Sequence, residues 1–261
     1  MKHKLTTLIL IVISIINVHA ATKTITTKNF VIQYDGSTEN YAKASLKILE
    51  IVKKNAVKLG FYFPKKVELH IIKSDRHMLY VRGDNPNLIT YEYKSIKDFL
   101  APEKSGYHNV YGLCHEMGHV CMGNITPHYN WMTVDYSEGW ANYFGCLMVE
   151  NVYKSLGVEA WPNQHNYHKS RGLQAFLKGI NDNKSKENIG FFYCSLFWYN
   201  LGKQIEKSNI CNFMVSLKVS NINKADCEIK YLDLLKMYKL NSEFIENFRK
   251  NKNYLLNTTQ K

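Results

Sequence analysis

The chain has 261 residues, 45% hydrophobic and 21% charged, with eighteen tyrosines, twelve phenylalanines and four tryptophans. That is apolar material for one large domain or two packed lobes, and it excludes a disordered or low-complexity protein. Lysine and arginine exceed aspartate and glutamate by 34 to 22, a formal charge of +12, but the basic residues are scattered. There is no lysine/arginine block and no basic–aromatic alternation, so no nucleic-acid partner is expected.

The first twenty residues read as a signal peptide. Met1-Lys2-His3-Lys4 is a short basic start, Leu5 to Val18 is mostly apolar, and Val18-His19-Ala20 is a small-x-small ending before Ala21. Cleavage after Ala20 leaves residues 21–261 with a charge of +10. The apolar run is shorter than the roughly 20 residues a spanning helix needs. The expected product is secreted or periplasmic, without stable membrane insertion.

Thr22 to Tyr34 is β-branched and partly alternating, a strand or hairpin. Asp35 to Thr38 is turn-like. In Tyr41 to Leu59, apolar residues at Leu46, Leu49, Val52, Ala56 and Leu59 recur at spacings of three and four, which predicts an amphipathic helix stopped by Gly60. Lys66 to Ile72 alternates and predicts a second strand. Arg82 to Pro86 reads as a turn. Leu88 to Tyr93 (LITYEY) reads as a further strand, and by analogy with zinc peptidases as the one along which a substrate peptide pairs. A helix follows over His108 to Met122 with Gly123-Asn124 as its stop, then a loop containing Thr126, Pro127 and Asn130. A second long helix, capped by Asp135 or Ser137, runs to about Leu156 before Gly157. Beyond Pro162 the chain reads as helical, with segments over Gly172–Ile180, Ile189–Ile205, Ile229–Tyr238 and Glu243–Lys250. The predicted class is α+β: a small mixed sheet with helices in an N-terminal lobe (about 21–123) and a helical C-terminal lobe (about 124–261), meeting at one helix pair.

Six cysteines, Cys114, Cys121, Cys146, Cys194, Cys211 and Cys227, form an even count consistent with disulfides in an exported chain. Cys114 and Cys121 lie roughly 10 Å apart along one predicted helix, too far to bond to each other. Cys211 and Cys227 bracket a loop-like stretch and are the expected bridge. Cys114, Cys121 and Cys146 read equally well as small buried packing residues.

The chemistry concentrates between Tyr111 and Phe144. His115-Glu116-Met117-Gly118-His119 is an H-E-x-x-H sequence. Two histidines four apart project from one face of a helix, so a single ion can reach both, and the intervening glutamate can serve as a base. Eighteen residues later Glu138 opens EGWANYF on the second predicted helix. His108 and His128 flank the motif and read as loop residues. Trp131, Tyr136 and Trp140 read as packing around the two helices, with a substrate subsite as the alternative.

H-E-x-x-H, an eighteen-residue gap and then E-G-W-A-N-Y-F resembles the glutamate-zincin (gluzincin) metallopeptidases of the peptidase-MA-like group over Tyr111 to Phe144. The resemblance implies a zincin-like fold with Zn2+ as cofactor, held by His115, His119 and Glu138, and Glu116 as general base. It makes Asn142 a hydrogen-bonding partner of a ligand histidine. Gly118 and Gly139 stand where they would let the two helices approach closely. The gap matches the aminopeptidase type, but there is no G-x-M-E-N segment to hold a free amino terminus. No H-x-x-G-x-x-H continuation follows His119, which excludes the three-histidine metzincins. The oxyanion-stabilising group is open among His165, Tyr167, His168, Tyr193 and Tyr199. The implied activity is hydrolysis of a peptide or protein substrate. Alternatives are a catalytically silent zincin-fold binding protein and a zinc hydrolase of a non-peptide substrate.

Overall fold

The computed structural model describes residues 22–99, 109–125, 134–162, 189–217 and 232–255. The predicted signal peptide, the Gly172–Ile180 segment, His108, His128, Trp131, His165, Tyr167, His168 and Cys227 lie outside the described residues. Within them the protein is α+β, a five-stranded mixed sheet carrying helices.

The hairpin expected from Thr22 to Tyr34 is present as β1 (Lys23–Thr26) and β2 (Phe30–Tyr34), paired antiparallel with Ile25 opposite Ile32. Asp35 caps the following turn by accepting from the Ser37 N–H at 2.8 Å, and α1 (Glu39–Lys58) begins there. Of the predicted apolar stripe, Leu49, Val52 and Ala56 are buried and Leu46 and Leu59 are half-buried against the core; Ile48, not among the predicted positions, is buried with them. Gly60 ends the helix at φ 83°, a left-handed conformation that costs glycine least. The chain then runs back into β3 (Val67–Lys73), parallel to β2, so α1 is the crossover that a parallel pair requires.

Next comes a strand that the sequence reading missed. Met78–Arg82 forms β4, which turns at Gly83-Asp84 into β5 (Asn85–Tyr93). The turn expected over Arg82 to Pro86 is therefore shorter, and Asn85 and Pro86 already belong to a strand. The spatial order is β1-β2-β3-β5-β4. β5 pairs in parallel with β3 on one side and antiparallel with β4 on the other, and Ile89 to Tyr93 are buried. This overturns the expectation that Leu88–Tyr93 pairs with a substrate, because both edges of β5 are already occupied. β4 and β1 are the edge strands.

The helix pair follows. α2 spans Asn109–Ile125 and α3 spans Val134–Leu156. Gly123-Asn124 does not stop α2: Asn124 stays helical, its amide donating to the Val120 carbonyl at 2.7 Å and to Asn87 Oδ1 at 2.9 Å. Neither Asp135 nor Ser137 caps α3, since both lie within the helix. Gly157, at φ 62°, closes it as expected. The remaining helices are α4 (Ile189–Gln204), α5 (Lys207–Leu217), a short turn of helix over 232–237, and α6 (Ser242–Leu255). α5 was not expected, and Cys211 lies inside it rather than at the mouth of a loop. Ile210, Phe213 and Met214 are its buried face.

One core joins these parts. Phe30, Ile32, Val67, Leu69, Ile89 and Tyr91 of the sheet meet Ile48, Leu49 and Val52 of α1 and the apolar faces of α2 and α3. Trp161 donates to the Phe99 carbonyl at 2.8 Å, and Tyr41 stacks on Phe99 at 4.3 Å. No described helix is long and apolar enough to cross a membrane.

Candidate metal centre

Glycines set the spacing of the helices that carry the site. A Cβ on Gly118 of α2 would lie 2.9 Å from the Ala141 Cα of α3, and one on Gly145 would lie 3.2 Å from the His115 Cα. These two residues let α2 and α3 pack backbone to backbone. Gly139 faces the other way: its Cβ would lie 2.6 Å from the backbone carbon of Cys194 on α4. The expectation that Gly118 and Gly139 both serve the helix pair is thus half right. Gly145, missed in the sequence, is the α3 partner, and Gly139 fits α3 against α4.

The close approach brings His115, His119 and Glu138 together. Their donor atoms all lie within 4.8 Å of one another, and the group can hold a metal ion. The two Nε2 atoms are 3.2 Å apart, and the Glu138 oxygens lie 3.1 Å from His115 Nε2 and 3.3 Å from His119 Nε2. Donors at about 2.0–2.2 Å from a tetrahedrally coordinated ion stand about 3.3–3.6 Å from one another. The three residues are therefore spaced to share one ion.

The outer nitrogens are held as well. His115 Nδ1 lies 3.1 Å from Asn142 Oδ1, which also accepts from the Tyr111 hydroxyl at 2.6 Å. The Asn142 oxygen can only accept, so Nδ1 of His115 carries a proton, and Nε2 is the ring nitrogen turned toward Glu138 and His119. His119 Nδ1 lies 3.2 Å from the Ser137 hydroxyl. Asn142 thus takes the hydrogen-bonding position expected of it, whereas Tyr111 and Ser137 were missed. Ser137 is one residue before Glu138, a proximity visible in the sequence, where it reads with Asp135 as one of two alternative caps.

Glu116 is 4% exposed. Burial raises its carboxyl above the ordinary range, with Glu138 adding to the rise; the imidazoles of His115 and His119 and a hydrogen bond from the Val81 N–H of β4 work against it. Burial acts on Glu138 in the same upward sense, but hydrogen bonds from His115 and His119 bring it well below the usual carboxylate range. For His119, burial favours loss of the proton, and the hydrogen bond to Glu138 with the charges of Glu116 and Glu138 outweighs it, so its proton is held more tightly than usual. A site with two carboxylates beside two imidazoles is electrostatically prepared for a cation.

Trp140 is fully buried. Its indole N–H donates to the Gly118 carbonyl at 2.8 Å, and its ring packs on Phe61, Phe144 and Trp198. It is a core residue that ties α3 to α2, not a subsite wall. Tyr199 on α4 sits beneath the Lys203 ammonium at 5.3 Å. The side chains of Tyr136 and Tyr193 lie outside the described residues.

No protein-family model matches this chain, and no curated protein is detectably similar to it in sequence.

Proposed function

We propose that the protein is an exported zinc metallopeptidase with a zincin-like fold of the gluzincin type, in which His115, His119 and Glu138 hold the ion and Glu116 is the general base. The observation that carries this reading is the buried carboxylate of Glu116 beside a three-donor cluster. A purely structural metal site has no use for a fourth, non-coordinating acid set between its ligands. Two imidazoles and one carboxylate are a donor set that suits Zn2+ with a coordination position left for substrate or water.

Zinc seated there supplies Lewis acidity and lowers the pKa of a coordinated water toward neutrality. The chain's own residues do the remaining work. Glu116 accepts a proton from the attacking water and passes it to the leaving amine, a transfer for which a carboxyl raised by burial is suited. Asn142 and Ser137 hold the two imidazoles in the rotation that presents Nε2 to the ion. β4, the sheet edge alongside α2, offers the backbone groups with which an extended peptide would pair. In this reading the sheet-bearing and helical parts of the chain flank the site as two lobes.

The test is zinc stoichiometry together with cleavage of a mixed peptide library by the wild type and by Glu116→Gln. Stoichiometric zinc with cleavage that the variant loses supports the peptidase. Zinc binding with no cleavage beyond that of the variant overturns it, in favour of a binding protein or a hydrolase of another bond.

A further inference from the structure

Away from the metal centre, a cavity of about 630 Å³ opens at the carboxyl ends of β2, β3 and β5. Its walls include neither Glu116 nor any of the three metal donors. The three strands run in one direction, so their ends share one rim. That is the side on which open α/β sheets take ligands, in the crevice left by the departing loops.

The cavity holds a carboxylate and an ammonium that do not meet. Asp35, just past β2, accepts from the Ser37 N–H at 2.8 Å, from the Ser37 hydroxyl and from the Tyr93 hydroxyl at the end of β5. Burial works to raise its carboxyl, but the hydrogen bonds from Ser37 and Tyr93 outweigh it and hold the group below its ordinary range. Asp35 is therefore an anion at neutral pH, and every one of these partners is neutral. The Lys23 ammonium beside Gly36 pairs with Glu39 instead, at 3.3 Å. Lys73, the last residue of β3, lines the same cavity and forms no ion pair among the described residues. Between the two charges, Gln33 of β2 offers a carboxamide with both a donor and an acceptor. Ile72 and Ile96 also line the cavity and are 42% and 37% exposed, apolar surface that the fold itself leaves uncovered.

We propose that this cavity binds a short peptide with free termini and apolar side chains: Asp35 takes the amino terminus, Lys73 the carboxylate, Gln33 the peptide group between them, and Ile72 and Ile96 the side chains. A simple cation would satisfy Asp35 and leave Lys73 alone, and a simple anion would do the reverse. A zwitterion satisfies both, each through a charge-assisted hydrogen bond. The flexible stem of Lys73 lets its ammonium follow the ligand's carboxylate, whereas Asp35 is fixed by its three hydrogen bonds. The volume falls within the roughly 300–1,000 Å³ of small-ligand pockets. None of this depends on the chemistry assigned to the metal centre.

The experiment is calorimetric titration of the full chain with leucyl-leucine and with its N-acetylated, C-amidated form. The Glu116→Gln background is used so that no peptide is consumed at the metal centre. The expected result is binding of leucyl-leucine with a Kd of about 0.1–1 mM, and binding of the blocked peptide weaker by about tenfold or more. Lys73→Met and Asp35→Asn, each added to that background, should weaken leucyl-leucine by about tenfold or more as well. Lys73 is exposed, and asparagine caps a helix start as well as aspartate does, so both variants should fold; circular dichroism checks this. Absence of binding, equal affinity for the blocked peptide, or unchanged affinity in either variant overturns the proposal. Unchanged affinity in both would place the dipeptide elsewhere, the metal centre included. A failed titration leaves the hydrolytic reading standing, and a metal centre that cleaves nothing leaves the titration intact.

Discussion

The amide oxygen of Asn142 lies between the Tyr111 hydroxyl and Nδ1 of His115, accepting from both, while its own Nδ2 is buried without a hydrogen-bond partner among the described residues. Its contribution therefore rests on the oxygen. Asn142→Ala is expected to weaken metal binding by about 10- to 100-fold, because the His115 ring loses the acceptor that fixes its tautomer. Asn142→Asp supplies the same oxygen and should retain the metal. Competition against a chelator of known affinity measures both, and equal affinity of the alanine variant and the wild type would remove Asn142 from the site.

Glu116 and Glu138 should separate cleanly in function. Glu116→Gln is predicted to keep the metal while losing about 10²–10⁴-fold in turnover. Glu138→Gln should instead lose the metal, since an amide replaces the anionic donor. Metal analysis of dialysed protein beside turnover distinguishes the two patterns. Loss of metal in both variants would mean that Glu116 is itself a ligand.

Gly139 offers a packing test. A methyl group there meets three atoms of Cys194 and Ser195 within 2.8 Å, two of them backbone. The helical preference for alanine returns at most about 1 kcal/mol, against an overpacking cost of about 1–3 kcal/mol. Gly139→Ala should therefore be destabilising, read as a lower urea midpoint. Gly83→Ala, with nothing within 4 Å of the added carbon, should stay within about 0.5 kcal/mol of wild type.

Much of the site could be read from the chain because its determinants are close in sequence. His115 and His119 share a helix face by spacing alone, and EGWANYF marks Glu138 and Asn142 on the next helix. What escaped was contributed across longer distances or by backbone. The Val81 N–H reaches Glu116 only because β4 exists, and Met78–Arg82 passed unread although its apolar, β-branched and aromatic residues precede a Gly-Asp turn. Gly145 matters only once α3 is rotated onto α2. Ser137 reads as an alternative to Asp135 for the helix cap because serine is favoured at that position, whereas α3 begins earlier, at Val134. α5 was hidden by its asparagines and serines, which the buried face of Ile210, Phe213 and Met214 overrides.

Alkaline pH should unfold the protein through its buried phenols. Burial raises Tyr93 to about 12, helped by the Asp35 carboxylate that accepts its hydroxyl, and burial raises Tyr143 to about 12 as well. The neutral phenol is favoured in the fold, so this stabilisation is complete below the ordinary value of 10.0 and is lost as pH climbs from 10 toward 12. Phenolate absorbance followed together with circular dichroism should show these tyrosines ionising only as structure is lost. Ionisation of every tyrosine in the intact fold near pH 10 would contradict their burial.

The packing of α2 against β4 and β5 divides the site by contact order. The three metal donors and Asn142 belong to two consecutive helices, whereas the Val81 N–H that works against the upward shift of the Glu116 carboxyl belongs to β4, a strand whose place depends on β5, and β5 in turn depends on β3. During folding, the cation-binding half is complete once two neighbouring helices pair. The base acquires that neighbour only when the mixed sheet, with its slower, non-local parallel pairings, has closed. Affinity for the ion should thus be recovered earlier in refolding than the capacity to turn over substrate.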